Sequence, residues 1–343
     1  LAALFSAIPC GVGAGKDNLG DRELEKVLTE GAAHLVKTGR GTETDLDKTE
    51  ERGRLEGALA DAVSRRAKER GRNQLGTLRS GNHFIEVQEV GELFLEERAA
   101  AMGLRKGCVA VMIHSGSRGL GHQVCDDYLK VMRKAMGKYK ITVPDQQLCC
   151  APVSSPEGQE YLGAMRAAAN FAAANRQAMT CSVREVFGRF FPGEKLAMVY
   201  DISHNLAFIE THFWEGKKRE VCVHRKGATR AFNGLPVLIP GSMGTSSYVL
   251  EGTETAEKET FASSCHGAGR VLGRGEAIRR TSGRNLAREL AEKGIKVMAR
   301  KTGILGEEAP EAYKDVSAVV EAVQGAGLCR KVARLFPISV MKG

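Results

Sequence analysis

Residues 236–250 read PVLIPGSMGTSSYVL. Two apolar runs flank a stretch of Gly, Ser and Thr, which predicts strand, glycine-rich loop, strand. Further strands are expected on both sides. FIEVQEV (84–90) alternates like a half-buried strand, and CVAVMIH (108–114) is a short continuous apolar run of the buried kind. LAMVYDI (196–202), LAFIETHFW (206–214) and VCVHRKGATRAF (221–232) read as strands joined by turns such as EGKKRE, and VARLFPISVMKG ends the chain as a final strand. Helical spacing marks residues 21–38, 47–70, 120–136, 156–187, 276–293 and 310–326. Strand runs and helix runs are partly segregated, without regular β-α alternation, so an α+β fold is expected rather than a doubly wound sheet. No repeat, low-complexity tract or linker divides residues 1–343, which are read as one domain. Residues 40–56 are the most polar stretch and predict a mobile surface excursion.

The chain has 343 residues, is 43% hydrophobic and carries a formal net charge of +9. Its length and apolar content suffice for a well-buried core, and the excess of basic residues favours a polyanionic partner, nucleic acid above all. Nine cysteines are scattered with no C-x-x-C pair, which argues against a zinc ribbon or a thioredoxin-like site and for free thiols in a reducing compartment. No apolar run approaches the roughly 18 residues of a membrane span. The chain starts with Leu1, and LAALFSAIP lacks the basic segment of a signal peptide. It reads as the middle of a helix, so the natural protein is expected to begin further upstream.

Four of the eight histidines share a context. His83 lies in SGNHFIE, His114 opens HSGSRG, His204 lies in DISHNLA and His266 opens HGAGR. Each imidazole falls at an element boundary beside Gly, Ser or Asn, where sites are commonly built. Three that converge would make a borderline-soft metal site. His34, His122 and His212 read as structural or surface residues. The loops PGSMGTSS (240–247) and HGAGR could present backbone N–H groups to phosphate oxygens. Neither is a Rossmann or Walker fingerprint. PCGVGAGKD (9–17) resembles a P-loop only superficially, because Cys10 and Asp17 stand where Gly and Ser or Thr are needed. Arg118, Arg225, Lys226 and Arg230 put fixed positive charge near these segments, and Arg offers a planar fork matched to phosphate. Glu86, two residues along a strand from Phe84, could face the same side and accept hydrogen bonds from guanine N1 and N2.

Taken together, QLGTLRSGNHFIEVQ, VMIHSGSRGLGHQV, YDISHNLAFIETH, VHRKGATRAF, PVLIPGSMGTSSYVL, SCHGAGR and VARLFPISVMKG resemble, in order, segments of the RtcB family of RNA ligases, over residues 70 to 343. The resemblance implies one RtcB-like domain whose β-sheets form a central cleft flanked by helices. It implies a GTP- and Mn²⁺-dependent ligase that joins RNA 2′,3′-cyclic phosphate or 3′-phosphate ends to 5′-hydroxyl ends, as in tRNA splicing. His266 would be the nucleophile that carries GMP, and His83, His114 and His204 would ligate manganese, of which the intact family site holds two ions. Asn82, His83, Phe84, Ile85 and Glu86 would line the nucleotide pocket, with His204, Asn205, Pro240, Gly241, Ser242, Met243, Ser247, His266, Gly267, Ala268, Gly269 and Lys342. Arg70 and Arg118 would meet RNA phosphate. The implied partners are tRNA exon halves, an archease-type activator and a tRNA ligase complex with a DEAD-box helicase.

SPEGQEYL and EEAPEAYKDV look closest to eukaryotic members, which implies nucleus and cytoplasm, and otherwise cytoplasm alone. The family's Asp-x-x-Cys metal motif is not found in this sequence, and a connection that is usually longer shrinks here to Asn233 and Gly234. The chain is therefore expected to lack an N-terminal segment and to hold at most one metal ion, weakly. The alternative is a truncated, catalytically impaired paralogue that binds RNA or nucleotide.

Overall fold

The computed structural model describes residues 1–11, 15, 18–300 and 303–343. Residues 12–14, 16 and 17 of the PCGVGAGKD stretch lie outside them. The chain divides into two compact units, one made of Leu1–Gly11, Leu78–His114 and Arg184–Gly343, the other of Val12–Thr77 and Ser115–Val183.

The first unit holds the strands of the described residues. In chain order they are β1 (Phe84–Leu93), β2 (Val109–His114), β3 (Asn205–Trp214), β4 (Lys217–Lys226), β5 (Ala228–Arg230), β6 (Pro236–Ile239), β7 (Ser247–Gly252), β8 (Ser263–Cys265), β9 (Lys296–Ala299) and β10 (Cys329–Lys342). The main sheet runs β2-β1-β10-β7-β6, with β9 also on β10, and curls into a half-barrel flanked by helices. β10 is its spine. Along one edge it pairs antiparallel with β1, Phe84 opposite Lys342. Along the other it pairs with β7 and then, in parallel, with β9. β1 also pairs with β2, Phe84 opposite His114. The start of β1, the end of β2 and the end of β10 thus share one end of the sheet. β3 and β4 form a separate ribbon, and β5 pairs with β8.

The α+β expectation holds, and most strands fall where the apolar runs place them. LAMVYDI differs. Leu196–Ile202 makes no regular strand; Val199 packs on the cluster around Val90 and Leu335, and the Leu196 carbonyl accepts from the Arg184 guanidinium. An apolar run records burial, not a ladder partner. VCVHRKGATRAF is split at Gly227, whose φ of +68° breaks the strand. Residues 276–293 likewise form two short helices, Arg274–Arg280 and Leu286–Glu292, and residues 310–326 a 3₁₀ turn followed by Val316–Gly325.

The second unit is helical: Asp21–Lys37, Glu43–Asp47, Arg65–Gly71, Arg118–Tyr139 and the part of Pro156–Phe190 up to Val183. Phe171, Leu24, Leu28, Leu75 and Leu120 are fully buried in its core. The helix expected over 47–70 is reduced to 3₁₀ turns and Arg65–Gly71. Glu51, Arg52 and Gly53 take positive φ, and the Leu55 N–H and C=O bond the side chain of buried Asn170 at 2.7 and 3.2 Å rather than a helical neighbour. Nor is 40–56 a loose excursion. Thr42 and Asp45 form a reciprocal capping box, and Asp45, Leu46 and Glu50 are buried.

One ion cluster anchors the root of the ribbon. Glu210 on β3 is buried and accepts two hydrogen bonds from Arg225 at 2.9 and 2.8 Å, one from Arg230 at 2.7 Å, and lies 2.9 Å from His212 Nε2. Burial alone would raise the Glu210 pKa, but these partners outweigh it and hold it below the usual carboxylate range. Arg225 and Arg230 are therefore committed to this carboxylate rather than to a ligand's phosphate. Removing the carboxylate would strand a buried guanidinium, so Glu210→Ala is expected to lower unfolding stability by about 3–5 kcal/mol in urea titrations. A change within ordinary surface scatter would show that the cluster is not structural.

Candidate active site

The strand ends described above bring imidazoles together. His114 closes β2, and His83 precedes β1 by one residue; their rings stack with centroids 5.9 Å apart and planes 7° from parallel. His204 immediately precedes β3, and its Nε2 lies 3.0 Å from that of His114. His266 immediately follows β8, with its ring centroid 4.1 Å from that of His204 and 6.2 Å from that of His114. The four histidines singled out from the sequence form one cluster. Its tightest part differs from the expected ligand trio. The ring nitrogens that come within 4.8 Å of one another belong to His114, His204 and His266, while His83 stacks on His114.

Backbone geometry holds two of these rings in place. The Gly227 N–H donates to the His204 carbonyl at 2.9 Å and to Asn205 Oδ1 at 3.0 Å, and the Gly227 carbonyl accepts from the His266 N–H. The φ of +68° suits glycine, and a Cβ there would lie 3.4 and 3.5 Å from Cε1 and Nδ1 of His266. Surrounding protein lowers the His266 pKa, and a backbone hydrogen bond at Gly227 works in the opposite sense. Burial holds His114 well below the ordinary imidazole range, reinforced by His204, His83, His266 and Lys342. At neutral pH both rings are uncharged.

A second group sits further along β1. Phe84, Glu86 and Gln88 share one face and are all buried, so the polar side of FIEVQEV is an interior side rather than the solvent side of a half-buried strand. Ile85 points to the opposite face and leaves only its backbone on this one. Gln88 donates to Glu86 Oε1 and, at 2.8 Å, to Ser247 Oγ, which also accepts from the Gly241 N–H at 3.1 Å. Met243 packs in the same apolar cluster as Phe84. The Lys342 ammonium lies 5.4 Å from the Phe84 ring centroid and 3.9 Å from Glu308. Burial pushes the Glu86 pKa up to about 8 against the pull of Gln88 and Lys342, and burial pulls the Lys342 pKa down.

The two glycine-rich loops meet. A Cβ built on Gly267 would lie 3.8 Å from the Pro240 carbonyl oxygen. Ala268 is buried and Gly269 exposed at the turn. Beyond them Arg270 bonds Glu308, Tyr313 and the Glu307 carbonyl, fixing the segment after His266. Asn82 is exposed just ahead of β1.

Arg70 and Arg118 belong to the second unit. Arg70 donates to Gln123 at 2.9 Å; Arg118 is 2% exposed, with Nε on Thr77 Oγ1 at 2.9 Å. The sequence reading missed Gln88, Gly227 and Arg270. Gln88 had a signal, a second polar residue two positions after Glu86 on a strand. Gly227 and Arg270 act through backbone and packing contacts that no spacing encodes.

The raised Glu86 pKa has a consequence for stability. With an ordinary carboxyl value of 4.5 and a folded value of about 8, the folded protein keeps a proton that the unfolded chain releases. That contribution is fully present below about pH 4.5 and is lost as pH rises toward 8. Urea midpoints of the metal- and nucleotide-free protein should fall across this window more steeply than those of Glu86→Gln; equal slopes would show that the carboxyl is ionised throughout.

A family model described as tRNA-splicing ligase RtcB matches residues 1–343. The chain is 51% identical over 358 residues to the tRNA-splicing ligase RtcB of Archaeoglobus fulgidus, covering 99% of this chain and 74% of that protein. It is 53% identical over 359 residues to that of Pyrococcus furiosus, covering 99% of this chain and 37% of that protein. It is 52% identical over 355 residues to the RNA-splicing ligase RtcB of Mycobacterium tuberculosis, covering 99% of this chain and 82% of that protein. These relatives are archaeal and bacterial, and the eukaryotic and nuclear expectations find no support in them. No helix among the described residues is long and apolar enough to cross a membrane. The chain belongs to the RtcB family of tRNA-splicing ligases.

Proposed function

We propose that this chain is the catalytic domain of a GTP- and Mn²⁺-dependent RNA ligase that joins 2′,3′-cyclic phosphate or 3′-phosphate ends to 5′-hydroxyl ends, with His266 as the nucleophile. The observation that carries this reading is the convergence of His266 on His114 and His204 beside two touching glycine-rich loops. Family membership supports RNA as the substrate class. The broader family resemblance adds an archease-type activator and a complex with a DEAD-box helicase as partners, and cytoplasmic residence.

In the first step the lone pair of the His266 ring attacks the α-phosphorus of GTP. A P–N bond forms, the bond to the β-phosphate oxygen breaks, and pyrophosphate leaves. The imidazole gains positive charge as this bond forms, and hydrogen bonding at the Gly227 backbone favours the charged ring. Gly267, Ala268 and Gly269 let phosphate approach backbone donors, as do Gly241 and Ser242 across from them. Glu86, ionised, would accept from guanine N1 and N2, with Phe84 and Lys342 beside it. Water opens the cyclic ester, its oxygen bonding to phosphorus as the bond to the 2′-oxygen breaks and that oxygen takes a proton; an oxygen of the resulting 3′-phosphate then attacks the guanylate phosphorus, and the P–N bond to His266 breaks. The 5′-hydroxyl of the second strand attacks the 3′-phosphorus, and GMP departs. Asn82, His83, Ile85, Asn205, Pro240, Met243 and Ser247 would complete the nucleotide pocket, and Arg70 and Arg118 would hold RNA phosphate.

The donor set fits a transition-metal cation. The Nε2 atoms of His114 and His204 lie 3.0 Å apart, within hydrogen-bond reach of each other, ring nitrogens of these two and His266 all lie within 4.8 Å of one another, and the lowered pKa of His114 keeps its ring neutral and able to coordinate. His114 and His204 would hold the ion, with His83 behind them. Bound there, it would offset triphosphate charge. Among the described residues the cluster holds neither carboxylate nor thiolate, so one weakly held ion is expected.

Incubation with GTP labelled at the α-phosphate and Mn²⁺ should place the label on His266 and reduce it to background in His266→Ala. Label on a lysine, or persisting in that variant, would overturn the assignment. Mn²⁺ titration followed by electron paramagnetic resonance should show one ion per chain, its affinity falling at least about tenfold in His114→Ala. Two tight sites, or an unchanged affinity, would contradict the ligand set.

A further inference from the structure

We propose that the β3–β4 ribbon is a track for single-stranded RNA, with Phe213 and Trp214 as base-stacking platforms and Lys217 and Lys218 as phosphate contacts at its tip. This rests on the RNA-ligase reading above.

The ribbon is rooted in the histidine cluster. β3 begins one residue after His204, and β4 ends at Lys226, next to the glycine that bonds both His204 and His266. Ten consecutive pairs join the two strands in unbroken register, from Asn205 opposite Lys226 to Trp214 opposite Lys217. At about 3.3 Å per residue the tip stands roughly 30 Å along the ribbon from its root. The turn is Glu215-Gly216, with φ of +50° and +73°, the left-handed pair that a tight two-residue hairpin requires.

The two faces have different jobs. Phe208, Glu210 and His212 point inward and are buried, with Arg225 beside them from β4. The other face carries Ile209 and Phe213, 37% and 69% exposed. Trp214, the chain's single tryptophan, ends the inner row but remains 45% exposed, 6.4 Å from the 37%-exposed ring of Phe261. Arg219 lies 5.1 Å over the Trp214 ring and donates to Glu215 at 2.9 Å. Lys218 stands opposite Phe213 and Lys217 opposite Trp214, and both lysines are exposed. No ion pair among the described residues holds either lysine.

Isolated exposed apolar residues need no explanation. Here two exposed aromatic side chains stand on opposite faces of the ribbon tip, each opposite a lysine in the strand register, and a third aromatic lies beside Trp214. Aromatic rings interleaved with cations fit a strand of unpaired bases, which offers a π-face per base and a phosphate per step. The charge suits a polyanion: WEGKKRE (214–220) holds three cations and two carboxylates, the two lysines carry no ion pair among the described residues, and the whole chain carries +9. The ribbon also leads from this tip to the cluster where the RNA ends would react. A protein partner would find the same rings but has no need of the cations.

Trp214 supplies the readout. Titrating the full chain with an oligoadenylate of roughly twelve nucleotides should quench tryptophan emission. Phe213→Ala should weaken binding about tenfold. Replacing Lys217 and Lys218 together by Ala should lower the slope of log affinity against log salt by about 1.4. RNA binding seen by anisotropy without quenching, and unchanged in these variants, would overturn the track. Self-association that disappears in Phe213→Ala while RNA affinity stays constant would overturn it too, and would make the tip a contact between copies. Guanylylation of His266 is expected to be equal in parent and variants. Its failure in all of them would remove the ligase reading without touching the emission result.

Discussion

Four imidazoles can crowd together only if nearly all of them are uncharged. Two imidazolium ions about 4 Å apart would repel by roughly 4 kcal/mol at a dielectric constant near 20, and the His204 and His266 rings are 4.1 Å apart. The fold meets this by packing protein around His114 and His266, which lowers both pKa values, and each neighbouring ring adds to the effect at His114. The same neutrality makes an imidazole a ligand and a nucleophile. Folding and the proposed chemistry therefore ask for one protonation state, and no compromise between stability and reactivity is needed at these rings.

Crowding also demands that four separate backbone segments be fixed. β1 and β2 place His83 and His114 through an antiparallel ladder. His204 and His266 have no ladder with each other; Gly227 joins them, using its N–H for one and its carbonyl for the other. Two residues before that glycine, Arg225 is locked onto Glu210 and also donates to Ser263, three residues before His266. A buried ion cluster is a weak source of net stability. Its evident service is geometric: it clamps the ribbon root to the strand that carries His266.

How much of this was legible depends on what each feature needs. Apolar runs located β1, β2, β6, β7 and β10 because burial leaves a pattern in sequence. They failed at Leu196–Ile202, where burial comes without a ladder, and at residues 47–64, where Gly53, Gly57 and the side chain of Asn170 overrule helical spacing. The four histidines were legible from their boundary positions beside small residues. Their internal order was not. Which three lie closest is set by how His83 stacks on His114, a matter of ångströms that family resemblance does not carry. Arg225 and Arg230 looked like phosphate contacts for the same reason, since nothing in HRKGATR reveals a buried carboxylate across the ribbon.

Glu86 and Lys342 raise a different question. Both are 3% exposed, yet burial moves the carboxyl up to about 8 and moves the amine down, so each shift runs toward the neutral form. Their mutual attraction is too weak to repay desolvation, and two apolar residues of similar volume would serve the core better. A donor that Glu86 already has, Gln88, satisfies one oxygen without restoring a normal pKa. What would tip the balance is a ligand bringing two further N–H donors to the carboxylate, because charge-assisted bonds in a water-poor setting are the strong ones. Guanine offers such a pair at N1 and N2. On the proposed function, recognition of the base is then coupled to ionisation of Glu86, and a purine lacking those donors would meet a neutral acid that gains nothing from it.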